Sequence, residues 1–431
     1  MRVKLILLFS ILIISAGTYA QEYILDSVLP YYKAIIHQDY NTLYYADSSE
    51  NFNLFFKKID SLYNGKTDKI HIFHIGGSHI QADIYSNKLR TYFQNMNDSA
   101  MSQRGFIFPF RLAGTNNPLN YRIDGNRKKW KGYRSSVKSD STLWGLSGIT
   151  AVLLDSIDTL KIKANYKNFT KWPYSFSRIR FFVDASCLNY SISLIDSTNC
   201  IVSDSLNIEY GFIEYKLMHE TETALFEIRK RDTSSVSLFK LMGVELMNEK
   251  PGIEYTSIGV NGASFESYNR CTLFEKQLSL YQPDLFIISI GTNDAYTTDF
   301  KDDKFAAYYE SLIQTILKIN PQCAILMTVP NDSYYRRKYP NKNTARQQII
   351  IHQLARKYQM AVWDFYSIMG GLGSSQKWYL KKLMPRDRIH FTSLGYSIKA
   401  DLLLKAIVLQ WEKSTGREPE SILKMITGKN E

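Results

Sequence analysis

The chain has 431 residues, with 53 Lys and Arg against 41 Asp and Glu, a formal charge of +12. A hydrophobic share of 45%, with 30 Tyr and 23 Phe, excludes a disordered tail and supplies apolar material for more than one core. The basic residues are scattered and no recognition motif accompanies them, so the charge does not call for a nucleic-acid partner.

The chain opens on MRVKLILLFSILIISAGTYA, in which Arg2 and Lys4 precede an apolar run and small residues. Residues 1–20 therefore read as a secretory signal peptide cut before Gln21. Its removal takes two positive charges from +12, leaving about +10. No later stretch approaches the roughly 18 apolar residues of a spanning helix. The expectation is an exported protein, periplasmic or extracellular, with no stable membrane span after cleavage and no lipid anchor, since no cysteine follows the cleavage point.

Residues 21–64 read as an N-terminal helical lead-in. The stretch KIHIFHIGGSHIQADIYSNKLRTYF, 69–93, then shows an apolar strand pattern that ends in Gly76, Gly77 and Ser78 and turns at once into helical spacing. Glycines at such a strand-to-helix turn permit a tight backbone, and the helix start aims free N–H groups at whatever lies over the serine. A glycine- and asparagine-rich loop follows. From 125 to 247 come short alternating runs such as SRIRFFVDAS and ALFEIRK, which predict an inserted β-sandwich with carbohydrate binding as one use. Exposed rings at Trp130, Tyr133 or Trp172 would then contact the glycan.

After Pro251 strands alternate with helices again: IEYTSIGVNGAS, PDLFIISIGTND, FAAYYESLIQTILKI, CAILMTVP, TARQQIIIHQLARKY, MAVWDFY and YSIKADLLLKAIVLQWEK. This order predicts a parallel sheet covered on both faces, one α/β domain over 65–124 and 248–418 interrupted by the insertion. Residues 419–431 read as a C-terminal tail. Of the four cysteines, Cys187 and Cys200 are close enough in a β-rich stretch to staple a hairpin, whereas Cys271 and Cys323 read as core. No Cys/His spacing suggests a metal.

In parallel sheets functional groups gather beyond the carboxyl ends of the strands. Four turns there carry Ser78 (IGGSH), Gly262 (VNGAS), Asn293 (IGTND), and Asp387 with His390 (PRDRIHFTSLGY). A serine hydroxyl needs a base, which His390 can supply, and Asp387 three residues earlier can fix the ring's tautomer. The N–H groups of Ser78 and Gly262 and the Asn293 amide would donate to an oxyanion. Arg104, Arg111 and Asn116, in the long loop, are candidates for contact with the substrate. His71, His74 and His352 read as structural, and His79, Asp83 and Asp294 as supporting or capping groups.

These blocks resemble the SGNH, or GDSL-like, hydrolases, whose name lists Ser, Gly, Asn and His from separated blocks; here they are Ser78, Gly262, Asn293 and His390, with Asp387 in the D-x-x-H position. The resemblance covers 70–95 and 250–410. It implies a three-layer, flavodoxin-like fold, a serine esterase acting through an acyl-enzyme, and no cofactor or metal. The long loop, the insertion and MGGLGSSQKW further resemble exported bacterial O-acetylesterases, including peptidoglycan O-acetylesterases with an inserted β domain. That implies an O-acylated glycan as the partner, with acetyl removed from a cell-wall or other polysaccharide, by hydrolysis or by transfer to a second sugar. The alternatives are a lipid or thioester acylhydrolase, and a surface glycan binder with weakened catalysis. The last is raised by one departure: Gly77 stands where the family has aspartate. Because relatives accept an aspartate there, Gly77→Asp is expected to be tolerated.

Overall fold

The computed structural model describes residues 22–45, 49–66 and 68–428, so the leader expected at 1–20 lies outside the described residues. Five strands, Lys69–Gly76, Gly252–Gly259, Leu285–Ser289, Ala324–Val329 and Ala361–Asp364, run parallel. Across the sheet the order is second, first, third, fourth, fifth, and Leu43–Tyr44 closes the edge antiparallel to the fifth. This is the flavodoxin-like order, and it reverses direction between the first and third strands. The loops that leave these two strands diverge there and open a crevice.

Alternation along each strand feeds two cores. Ile70, Ile72, Leu285, Ile287 and Leu326 face a layer that holds Glu50–Tyr63, Tyr85–Gln94 and Ser393–Thr415. Phe73, Ile75, Phe286, Ile288 and Met327 face the opposite way. There they meet Asp302–Ile319, whose Phe305, Tyr309, Leu312, Ile313 and Ile316 form the buried stripe of an amphipathic helix, and Asn343–Tyr358. Antiparallel sheets are added to this α/β unit.

Residues 22–63 are built into this unit. The buried Asp401 carboxylate accepts the Ile24 and Leu25 N–H groups at 2.8 and 3.2 Å and pairs with Lys88 at 2.7 Å. At the other end Ser421–Ile426 forms a helix, and the Glu412 carboxylate accepts the N–H groups of Ile422 and Leu423 at 2.7 and 3.2 Å. Among the described residues no helix is long and apolar enough to cross a membrane.

The β insertion is a pair of antiparallel sheets. The larger runs from Ile201–Asn207 through Phe212–Thr221, Phe176–Val183, Lys240–Met247 and Ile149–Leu153 to Trp130–Arg134; the smaller holds Arg122–Asp124, Ile157–Lys163, Thr223–Lys230 and Tyr190–Leu194. Phe181 of one meets Phe226 of the other edge-on at 5.1 Å. Antiparallel pairing begins ahead of residue 125, since Gly105–Ile107 pairs with Lys240–Met247 and Arg122–Asp124 with Ile157–Lys163. The sandwich core runs without a break into the core under the parallel sheet. All four cysteines are free thiols. The expected Cys187–Cys200 staple is not made, because Cys187 turns into the core and Cys200 faces outward. Trp130 is buried, its indole N–H donated to Asp158 at 2.6 Å, so its ring is not open to a glycan, whereas Trp172 is half-buried with its indole N–H donated to Asn95.

Candidate active site

The first parallel strand ends at Gly76, and Ser78–Gln81 forms one helical turn. The turn is tight because Gly76 passes between neighbours: a Cβ there would lie 2.4 Å from Ile80 Cγ1 and 2.7 Å from the Ser289 carbonyl. Ser78 thus stands at the start of a helical turn, where its N–H has no intrahelical acceptor.

Its hydroxyl lies 2.8 Å from His390 Nε2, although 312 residues separate the two in sequence. His390 Nδ1 lies 2.8 Å from Asp387 Oδ2. The other oxygen, Asp387 Oδ1, accepts the N–H groups of Ile389 and His390 at 2.9 and 3.1 Å. Burial alone would raise the Asp387 carboxyl, but the His390 ring and these N–H groups outweigh it and hold it well below the usual carboxylate range. An ionised Asp387 fixes the proton of His390 on Nδ1 and leaves Nε2 as an acceptor toward Ser78.

Ser78 and His390 line a cleft of about 470 Å³ together with Gln81, Asn116, Gly262 and Asn293. Gly262 has φ +82°, the left-handed conformation that suits glycine. The Asn293 amide donates one N–H to the Ala263 carbonyl at 2.9 Å, and an amide carries two. Gln81 knits the rim: its carbonyl accepts the Asn261 N–H at 2.7 Å, and its amide donates to Thr115 Oγ1 at 3.0 Å and to the Asn116 carbonyl at 2.8 Å.

Two of the expected substrate contacts lie elsewhere. Arg104 is 2% exposed and does not line the cleft; it pairs with Asp83 at 3.5 Å, donates to Asn120 at 3.1 Å and lies over the Tyr121 ring. Arg111 pairs with Asp124 at 3.4 Å, also away from the cleft. Asn116 does line it. Asp83 is the hub of a buried network under the serine turn, pairing with Arg90 at 3.1 Å and accepting from Ser86, Ser257 and Asn120. Burial would raise its carboxyl, but Arg90 and Arg104 hold it down.

Asp294 accepts the Phe265 N–H at 3.1 Å, as a cap. His74 is fully buried between Tyr255 and Ser289, and burial pushes it down to about 3. His71 stands 3.5 Å from Glu254 and His352 3.4 Å from Asp364. Gln81, Asn261 and Tyr296, which no motif marks, also line the cleft, and Ser136 donates to the Asn261 carbonyl beside it. Gln81 carried one usable signal, its position three residues after Ser78 on a helical turn. Among the described residues no group of three or more His, Cys, Asp or Glu side chains is arranged to hold a metal ion.

Residues 242–398 match the model of the GDSL-like lipase/acylhydrolase family. The matched span contains Gly262, Asn293, Asp387 and His390 and stops short of Ser78, which the insertion separates from it. No curated protein sequence matches the chain. A solved peptidoglycan O-acetylesterase shares the fold, with a TM-score of 0.63 at 19% identity over 83% of this chain and 96% of that one. An acetyl xylan esterase, AlAXEase, aligns at 22% identity over 37% of this chain and 81% of that one, with a TM-score of 0.29. A lipase/acylhydrolase from Enterococcus faecalis aligns at 17% identity over 40% and 80%, also with a TM-score of 0.29.

Proposed function

Because residues 242–398 match the GDSL-like lipase/acylhydrolase family and the fold is shared with a peptidoglycan O-acetylesterase, we propose that the chain is an exported serine esterase that removes small acyl groups, acetyl first among them, from a cell-wall or other polysaccharide. Ser78 Oγ attacks the ester carbonyl while His390 Nε2 takes its proton. The oxyanion is held by the N–H groups of Ser78 and Gly262 and the second N–H of Asn293. His390 then returns the proton to the departing sugar oxygen, and water, activated by the same ring, releases the acid from Ser78. Asp387 keeps the ring oriented and stabilises its charged form.

The observation that carries this reading is the unbroken chain from Ser78 Oγ through His390 to Asp387, with 2.8 Å at each step, set in the same cleft as Gly262 and Asn293. The glycan and the acetyl group draw support from the fold shared with a peptidoglycan O-acetylesterase across the insertion as well as the α/β unit. The test is acetate release from O-acetylated peptidoglycan, with an aryl acetate alongside, by the wild type and Ser78→Ala. Release by the wild type alone supports the proposal. Equal release by both overturns the assignment of the nucleophile.

A further inference from the structure

Beside the catalytic cleft lies a larger one of about 750 Å³, and Gly262, Asn293 and Tyr296 line both. The space next to the expected oxyanion position therefore continues past the reacting centre. An acetyl group needs none of it. One wall comes from the β insertion, through Ser135, Ser136 and Lys138. This wall is pinned at two points: the Ser136 hydroxyl donates to the Asn261 carbonyl at 2.8 Å, and Arg270 of the α/β unit grips the loop. The Arg270 guanidinium donates to the Ser135 and Val137 carbonyls at 2.6 and 2.9 Å and to that of Asp140, while lying 4.7 Å over Trp144.

The lining chemistry is that of a hydroxylated, uncharged ligand. Arg270 is spent on carbonyls, Lys301 pairs with Asp299 at 2.6 Å and Lys304 with Glu266 at 3.6 Å, so three of the cleft's four cations already have partners. Tyr296 stands at the junction of the two clefts, 38% exposed. Its ring packs on Tyr335 at 4.9 Å and its hydroxyl accepts the Arg336 N–H at 3.0 Å, so the ring is held in place. A fixed, exposed ring beside polar groups is a platform for a sugar face.

We propose that the larger cleft binds the sugar next to the acylated one, so that the substrate is a glycan of at least two units lying across both clefts, with Tyr296 between them and the 135–138 segment of the insertion along its side. This rests on the esterase reading above. Binding energy gathered in the second cleft then positions the acylated sugar over Ser78 and appears in kcat/KM.

The experiment measures kcat/KM for acetate release from O-acetylated peptidoglycan glycan fragments of one, two and four sugars, with an aryl acetate as reference. In the wild type kcat/KM should rise about tenfold or more from one sugar to two or four. Ser136→Trp and Thr297→Trp, each of which puts an indole into the larger cleft, should flatten that rise. Equal kcat/KM at every length in the wild type overturns the second site and leaves the esterase reading standing, as does a full rise retained by both folded variants. Hydrolysis of aryl acetate with no release from any fragment overturns the glycan reading and this proposal with it. Failure to hydrolyse either substrate overturns the esterase reading itself.

Discussion

The α/β unit and the β insertion share one continuous core yet divide the work unequally. Every group proposed to meet the reacting ester comes from turns at the carboxyl ends of parallel strands or just before the closing helix. The insertion brings a wall. Parallel strands end together on one side of the sheet, so residues far apart in sequence converge there. An antiparallel sandwich has no such edge, and offers instead a surface whose position depends on how it is pinned. The largest expected effect tests that division. Ser78→Ala and His390→Ala should each lower kcat for an aryl acetate by on the order of 10³-fold or more, and the double variant should lose little beyond either single one, because the two act as a unit. Steady-state kinetics with thermal unfolding as a folding control makes the measurement. Additive losses would break the assignment.

The turn behind Ser78 sharpens the comparison. Gly77 has φ −92°, outside the left-handed region, so a positive φ is not what places a glycine there. Its surroundings argue against a larger side chain: a Cβ would sit 3.1 Å from Asn293 Nδ2, with the Ala263 and Val260 carbonyls at 3.6 and 3.8 Å. An aspartate would press its carboxylate into the amide proposed to stabilise the oxyanion. Contrary to the expectation drawn from relatives, Gly77→Asp should lower kcat by about 10- to 100-fold, with KM and melting temperature changed far less. A rise in kcat would show that Asn293 is too loosely held in the wild type and that the carboxylate orders it.

A third substitution strikes where the two regions join. Asp83 lies under the serine turn, and Arg104 and Asn120, on the segment that leads into the insertion, both reach it. Asp83→Ala leaves the buried Arg90 and Arg104 guanidinium groups without their carboxylate. The expected loss is about 3–5 kcal/mol of stability, read from chemical unfolding. A loss under about 1 kcal/mol would mean that this buried ion-pair network contributes little to joining the two halves.

These outcomes also mark what the sequence could show. Strand ends followed by glycine or polar turns point to Ser78, Gly262 and Asn293, and the turn before the helix Ser393–Thr415 to His390, because period-two apolar runs and turn residues are local signals. Arg104 was misjudged because its loop is rich in glycine and asparagine, a composition that signals solvent, whereas its partners Asp83 and Asn120 are fixed only by the fold. The amphipathic pattern of 22–63 shows an apolar face without showing what covers it; Asp401, more than 370 residues away, is part of the answer. Ser136 carries no motif, and its place depends on how the insertion docks. Tyr296 follows Asn293 by three residues, but the contacts that fix its ring, Tyr335 and the Arg336 N–H, are set only by the fold.

The last contrast lies in the layer away from the insertion. Lys399 is 5% exposed, and its ammonium sits over the rings of Phe365, Tyr85 and Phe391 at 4.6, 4.9 and 5.5 Å. Burial pushes this amine down to about 7, while the unfolded chain keeps an ordinary lysine near about 10.4. Between those values the unfolded state binds more protons than the folded one, so this group makes stability rise with pH, by at most about 1.4 kcal/mol per pH unit. Below about 7 both states are charged, and the folded state carries the full burial penalty. Lys399→Met fills the same space without a charge. It should therefore be more stable than the wild type at pH 6, and the difference should shrink steadily as pH rises from 7 toward 10, as measured by chemical unfolding across that range. His79, which burial and the Lys399 charge both push down, lies tilted against the His390 ring at 5.3 Å, so the change also removes a positive charge from behind the proposed base. A stability difference that stays constant from pH 6 to pH 10 would show that the aromatic cage keeps Lys399 charged throughout, and that the layer beneath Ser78 tolerates a permanent buried cation.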